Sequence, residues 1–225
     1  LERKETRRKY LPAEVLTHFL GGRGANMWLL YNLLQEEKDA LDPEVPLIFG
    51  SGVLTSVMPS ATRGNFTSKS PESYAILDSN GGDYFPAFLK RHGYDHLVLF
   101  GKAAQWMLLR IAEDEVTFED ATPYAGLNNL DTAAAVERDF NCKERKDMAL
   151  ARITSSGENG VLCAGIMGGI KAIWARGGGG AKMGAHNLKA IMIHGRPPEI
   201  ALPVDAKTQN KAIGKKITGT SVIKN

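Results

Sequence analysis

Two cysteines in 225 residues, Cys142 and Cys163, with no CxxC arrangement, exclude a disulfide scaffold. They also exclude a zinc or iron–sulfur site made from this chain's own thiols. Two free thiols fit a reducing cytoplasm. Long apolar runs are missing as well. The longest weakly polar stretch, Val161 to Ile170, is broken by glycines and falls short of a membrane span, and no signal peptide is visible. Charge of one sign is scarce: the formal net charge is +3, with basic and acidic residues alternating, which argues against a nucleic-acid partner. The local exception, Arg3, Lys4, Arg7, Arg8 and Lys9, reads as a solvated lead-in to a helix. None of the five histidines, His18, His92, His96, His186 and His194, has ligand or triad spacing, so they read as surface or helix-end residues. Neither GxxxxGK[ST] nor GxGxxG after a strand occurs, which disfavours a P-loop or Rossmann site.

What remains is ordinary in bulk and unusual in one respect. Hydrophobic content of 43% and charged content of 24% fit a soluble globular chain, long enough for one large domain or two small ones. The chain begins without Met and stops inside a helical pattern, so it reads as a piece of a longer protein. The unusual feature is glycine. Gly177 to Gly180 stand in a row, preceded by Arg176 and followed by Ala181-Lys182-Met183-Gly184, and an earlier pair, Gly81-Gly82, follows Asn80. Each glycine costs backbone entropy and brings no side chain to a core. Such runs let backbone N–H groups approach a bulky anion closely.

Periodicity places helices at about residues 14–20, 25–37, 84–91, 130–140 and 182–186, with another starting at Val204-Asp205. It places strands at 47–50, 63–68, 74–77, 97–100, 107–111, 116–119, 148–154, 161–167 and 190–194. Gly21-Gly22 ends the first helix, Asn80-Gly81-Gly82 breaks a strand, and Glu113-Asp114 and residues 155–159 are turns. The two halves resemble each other. Leu97 to Ala103 aligns with Ile191 to Pro197, each after a glycine cluster and a short helix, and Ile48 to Gly52 resembles Ile153 to Gly157. The fold class expected is α+β, with duplicated strand–helix–strand halves forming a pseudo-twofold β cradle whose glycine loops flank one roughly twofold ligand.

Arg63, in a strand of small and polar residues, and Arg176, abutting the glycines, can act as bidentate clamps for phosphate or a polar heterocycle. Each also reads as a surface arginine beside a turn. Gly157-Glu158-Asn159 reads as a self-capped turn or as part of a site. Trp28, Trp106 and Trp174 read as core or site-wall residues. A binding cradle is better supported than a catalytic constellation.

An ordered set of motifs then carries a resemblance. It runs through Leu20-Gly21-Gly22-Arg23-Gly24, Arg63, Ser68-Lys69-Ser70-Pro71, Asn80-Gly81-Gly82 with Tyr84-Phe85, and Leu89-Lys90 to Gly93-Tyr94-Asp95. It continues through Gly101-Lys102-Ala103, Gly157-Glu158-Asn159, Arg176-Gly177-Gly178, and Met183-Gly184 with Asn187 to Ile191. Together these resemble the N-terminal domain of the aldehyde ferredoxin oxidoreductase family, tungsten (or molybdenum) bis-pterin enzymes, over nearly the whole chain after about residue 15. The resemblance implies a cofactor-binding domain over residues 1–200 and the start of a following helical segment at 201–225. It implies that Arg63 contacts pterin, that the backbone at Asn80, Gly81 and Gly82 contacts pterin and its phosphates, and that Arg176, Gly177 and Gly178 form the second loop. A magnesium bridging the phosphates would be met by Asn80 and by the Ile173 backbone carbonyl. By the same resemblance an aldehyde is oxidised to its acid, and electrons leave through a [4Fe–4S] cluster to ferredoxin or another electron-transfer subunit. The cluster cysteines lie in further domains, in the same or another chain, and catalytic residues in this stretch stay unknown.

The sequence departs from the family pattern at two places. Where an arginine opens the family's Arg-Ala-Ala-Gly-Arg-Gly-Gly run, Ala172 stands here, with Lys171 adjacent as a substitute. Asp83 stands where glycine is common, and its carboxylate is expected to repel phosphates. A non-catalytic accessory or phosphate-ligand domain that has lost the metal cofactor is the alternative these departures leave open.

Overall fold

Glycine-permitted close approach organises the first helices. In the computed structural model, which describes residues 1–113 and 115–219, α1 (Ala13–Phe19) closes at Leu20, whose N–H bonds Leu16 O at 3.0 Å. The chain reverses at Gly21, where φ is +154°, and α2 (Gly22–Leu33) starts at once. Gly22 therefore opens a helix that was expected only from Ala25. A Cβ on Gly24 would lie 2.5 Å from the Phe19 carbonyl, so these glycines also let the two helices touch.

The first sheet holds β1 (Leu47–Ser51), β2 (Gly64–Lys69), β3 (Ile76–Gly81) and β4 (His96–Leu99) in the order β3-β2-β1-β4, all antiparallel. Asn80-Gly81 does not break a strand. It is the end of one, with Asn80 opposite Asn65 and Gly81 opposite Gly64. The expected 74–77 strand starts late because residues 70–75 form a turn. Tyr74 has φ +58° and Ser70 Oγ accepts the N–H groups of Glu72 and Ser73 at 3.2 and 3.1 Å. α3 (Phe85–Arg91), with Pro86 in its first turn, joins β3 to β4.

The second sheet contains β5 (Met107–Ala112), β6 (Glu115–Asp120), β7 (Met148–Arg152), β8 (Ile166–Met167), β9 (Ile173–Trp174) and β10 (Leu188–His194). Its order is β6-β5-β10-β7-β8-β9, with only the β5–β10 pair parallel. The expected strand over 161–167 shrinks to two residues. Residues 155–158 form a helical turn, α5 (Ser155–Glu158), and α6 (Gly179–Ala185) begins inside the glycine run. α4 (Asn129–Asp139) is capped by the Asn128 side chain, which accepts from the N–H groups of Leu130 and Asp131 at 2.9 Å each. The Glu113-Asp114 turn falls partly outside the described residues. α7 (Val204–Thr218) has no buried residue and is tied back by Asn210 Nδ2 donating to Val57 O at 2.6 Å. The final six residues of the expected 201–225 segment, 220–225, lie outside the described residues.

Four strands of each sheet follow one another in the same way: β3-β2-β1-β4 in the first and β9-β8-β7-β10 in the second, all antiparallel. Between them lies one apolar core, including Phe49, Phe66, Phe85, Trp174, Ile191 and Ile193. Trp174 meets Phe49 and Phe85 edge-on, with centroids 5.9 and 5.7 Å away. A second cluster under α4, with Leu108, Val136, Leu150 and Met192, covers the other face of the second sheet.

Candidate functional site

The edge strands of the two sheets, β3 and β9, meet at a seam built on Trp174. A Cβ on Gly81 would lie 2.6 Å from the indole and one on Gly168 2.5 Å, so the ring fills a slot that only glycines leave open. Beyond it, Arg176 N–H donates to Ser79 Oγ at 3.1 Å and the Ser70 hydroxyl donates to Gly177 O at 3.0 Å. The two expected loops are thereby held side by side. Asn80 and Ile173 adjoin Gly81 and Trp174 in sequence, and both are exposed at the seam.

Unpaired positive charge gathers there. Arg63 is exposed, and its Nη1 lies 2.5 Å from where a Cβ of Gly82 would be, so the guanidinium covers that glycine. Arg63, Arg176 and Lys171 are exposed, and none has a side-chain hydrogen bond or ion pair among the described residues. Asp83 corrects an expectation. Its carboxylate pairs with Arg145 Nη2 at 3.0 Å and its side chain is 10% exposed, so the charge that was expected to repel phosphates is neutralised. Its φ of +63° explains why glycine suits the position. Arg145 also sits 5.1 Å above the Tyr84 ring.

The glycine run is used differently from its expected role as an open anion loop. Gly178, Gly179 and Gly180 are buried. Gly178 abuts Pro71 and the Leu162 carbonyl, a Cβ on Gly179 would lie 2.9 Å from Phe66, and Gly180 N–H donates to Ala164 O at 2.7 Å. These three serve close backbone packing. Only Gly177, with φ +70°, faces the seam half-buried. Ala172 stands in the tight β8–β9 turn, where its carbonyl accepts Gly168 N–H at 2.9 Å.

Sequence reasoning missed the polar layer under the seam. Asn65, 3% exposed, donates to Asp78 Oδ1 at 2.6 Å and to Asn80 Oδ1 at 3.2 Å, and Asp78 pairs with Arg23 at 2.8 Å. Behind it, fully buried Asn26 links Asn65 to His96. The available signal was the period-two placing of Asn65 and Thr67, and of Asp78 and Asn80, which puts four polar side chains on one sheet face. His96 and His186 are largely buried rather than at the surface, although His186 does stand at a helix end as expected, the C-cap of α6. Burial is the main cause that lowers each to about 4. Glu158, read as part of a turn, binds Lys189 Nζ at 2.5 Å and accepts Gly126 N–H at 2.7 Å. Buried Arg152 forms a second such pair with Glu144 at 2.7 Å. These pairs lock loops of the second half and touch no part of the seam described above. Among the described residues no group of three His, Cys, Asp or Glu could hold a metal ion, and no helix is long and apolar enough to cross a membrane.

Comparison with known proteins agrees with this architecture. Residues 1–195 match the family described as aldehyde ferredoxin oxidoreductase, N-terminal domain. Tungsten-containing aldehyde ferredoxin oxidoreductase from Pyrococcus furiosus is 36% identical over 183 residues, 81% of this chain and 30% of that protein. The aliphatic sulfonate oxidoreductase WOR-like subunit from the same organism is 33% identical over 210 residues, 88% of this chain and 34% of that protein. Among solved structures, the active-site complex BamBC of benzoyl coenzyme A reductase, in complex with 1,5-dienoyl-CoA, superposes with a TM-score of 0.85 at 28% identity. That match covers 95% of this chain and 32% of the other. The chain belongs to the aldehyde ferredoxin oxidoreductase family and carries its N-terminal domain. It spans about a third of the length of these relatives.

Proposed function

We propose that residues 1–200 form a pseudo-twofold cradle for a tungsten (or molybdenum) bis-pterin, within a larger oxidoreductase that converts an aldehyde to its acid. Residues 201–225 would lead into the rest of the enzyme. The observation that carries this reading is the seam. Its free Arg63 and Arg176, the donors of Asn80 and an Asp83 neutralised by Arg145 suit a ligand bearing several phosphate oxygens. The repeated strand order on either side of it suits a ligand with two similar halves.

In this reading Arg63 and the backbone at Asn80, Gly81 and Gly82 would hold one pterin, and Arg176 with Gly177 the other, while Gly178, expected in the same loop, packs against Leu162 and Pro71. The backbone carbonyls of Asn80 and Ile173 would be the atoms to meet a magnesium. Lys171 supplies the charge that Ala172 lacks. When bound, the metal–pterin group would supply the two-electron redox chemistry, and this domain's part is to bind and orient it. A [4Fe–4S] cluster and ferredoxin, or another electron-transfer subunit, would take the electrons beyond this domain. Alone, the chain is expected to be inactive.

The test is elemental analysis for tungsten and molybdenum, with pterin release, on protein purified natively with its remaining domains. Near-stoichiometric metal and pterin are expected, falling severalfold in Arg63→Ala. Metal-free protein, even when assembled, would instead favour the accessory-domain reading that Ala172 motivates.

A further inference from the structure

The polar layer under the seam has a polarity that can be assigned atom by atom. Asp78 Oδ2 receives Arg23 Nε at 2.8 Å, so its carboxylate is ionised and only accepts. The Asn65 atom 2.6 Å from Asp78 Oδ1 must then be the NH2 group. Its second hydrogen is shared between the Asn80 side chain at 3.2 Å and the Ser79 carbonyl at 3.4 Å, and toward this donor the Asn80 amide presents its oxygen. The Asn80 NH2 is thereby turned away, on an exposed residue and with no partner among the described residues.

The other end of the chain of bonds agrees. Asn65 Oδ1 accepts from Asn26 Nδ2 at 2.9 Å and from the Thr67 hydroxyl at 2.5 Å. Asn26 Nδ2 is independently fixed by the carbonyls of Ile48 and Asn65, at 3.3 and 3.1 Å. Its oxygen therefore faces His96, whose Nδ1, 2.7 Å away, carries the proton. Gly50 makes room for this pair, since a Cβ there would lie 2.5 Å from Asn26 Oδ1 and 2.8 Å from His96 Nδ1.

We propose that Asn65, oriented by Asp78, is a positioning residue that locks the Asn80 side-chain amide with its NH2 outward, as a donor to phosphate oxygens of an anion at the seam. The identity of that anion rests on the cofactor reading above; the orientation of the amide does not. An unlocked asparagine turns about its last torsion and offers an oxygen to the anion as readily as a donor. Asn65 thus converts an adaptable surface amide into a fixed one.

The experiment is a titration of the full chain, labelled with nitrogen-15, with inorganic pyrophosphate. The Asn80 side-chain signals are identified by their loss in Asn80→Asp. They are expected to shift with pyrophosphate, while the Asn65 NH2 stays protected from exchange. Asn65→Ala should weaken pyrophosphate by about tenfold, the worth of one hydrogen bond to a charged group. Should Asn65→Ala fail to fold, the wild-type titration and the exposed Asn80→Asp variant still decide. Asn80 signals that do not move at saturation, or an Asn65→Ala chain that binds as wild type, would overturn the proposal. A normal pyrophosphate response in a protein that acquires no metal or pterin even with its remaining domains would overturn the cofactor reading alone.

Discussion

Replacing Gly81 by alanine is expected to destabilise the protein by about 3 kcal/mol, near the upper end of overpacking costs. The new Cβ would lie 2.6, 2.7 and 2.9 Å from Cε2, Cδ2 and Nε1 of Trp174. Ordinary carbon contacts need about 3.5–4.0 Å, so the indole would have to retreat by about 1 Å. It has nowhere to go. Gly168 abuts the ring as well, and Phe49 and Phe85 meet it edge-on. Gly81 lies outside the left-handed region, so backbone strain does not enter. The control is Gly214→Ala in α7, where nothing lies within 4 Å, and there helix propensity should stabilise by up to about 1 kcal/mol. Urea unfolding followed by circular dichroism measures both without relying on the Trp174 emission. In a Trp174→Phe background the Gly81→Ala cost should fall by at least about 1 kcal/mol, the signature of direct coupling. A Gly81→Ala cost below about 0.5 kcal/mol, or one unchanged by Trp174→Phe, would refute the slot as the reason for this glycine.

Three further outcomes are expected. His96 and His186 are held at about 4 by burial, so the folded protein keeps them neutral while the unfolded chain takes up protons from about 6.5. Their contribution is complete above pH 6.5 and is lost as pH falls towards 4, by up to about 1.4 kcal/mol per histidine per unit, which urea midpoints between pH 7 and 4 would show. Native protein treated with iodoacetamide should be alkylated at exposed Cys163 and spared at Cys142, whose thiol is buried and pushed up to about 11; mass spectrometry of the peptides reads this. Arg145→Gln should weaken pyrophosphate binding about threefold or more by baring the Asp83 carboxylate, and Asp83→Asn in the same background should restore it, as calorimetry would measure.

Much of the element order was legible because the signals were local. Apolar spacing gave α3 and α4, β-branched and apolar runs gave β1, β5 and β10, and Asn128 capped the helix expected next to it. Where the reading slipped, long-range contacts had overridden local preference. Asn80-Gly81 looks like a strand breaker, yet pairing with Gly64 and Asn65 extends β3 through it. The run at 177–180 looks like an open loop, yet three of its glycines are buried against the carbonyls of Leu162 and Ala164 and the Phe66 ring. Asp83 looked like a charge facing phosphates because its partner, Arg145, is 62 residues away.

The sequence by itself determined the family, the two glycine loops, and the arginines beside them, since each of these is a matter of residue type and order along the chain. It also determined that this chain's own thiols cannot build a metal cluster. Only the tertiary structure decided what the glycines do, which charges are free and which way the Asn80 amide points. Those properties depend on groups brought together from distant positions: Trp174 onto Gly81, Arg63 over Gly82, Arg145 onto Asp83, and Asp78 with Arg23 beneath Asn65. Periodicity records which face a residue takes, but a hydrogen-bonded chain has a direction, and that direction exists only once its ends have met.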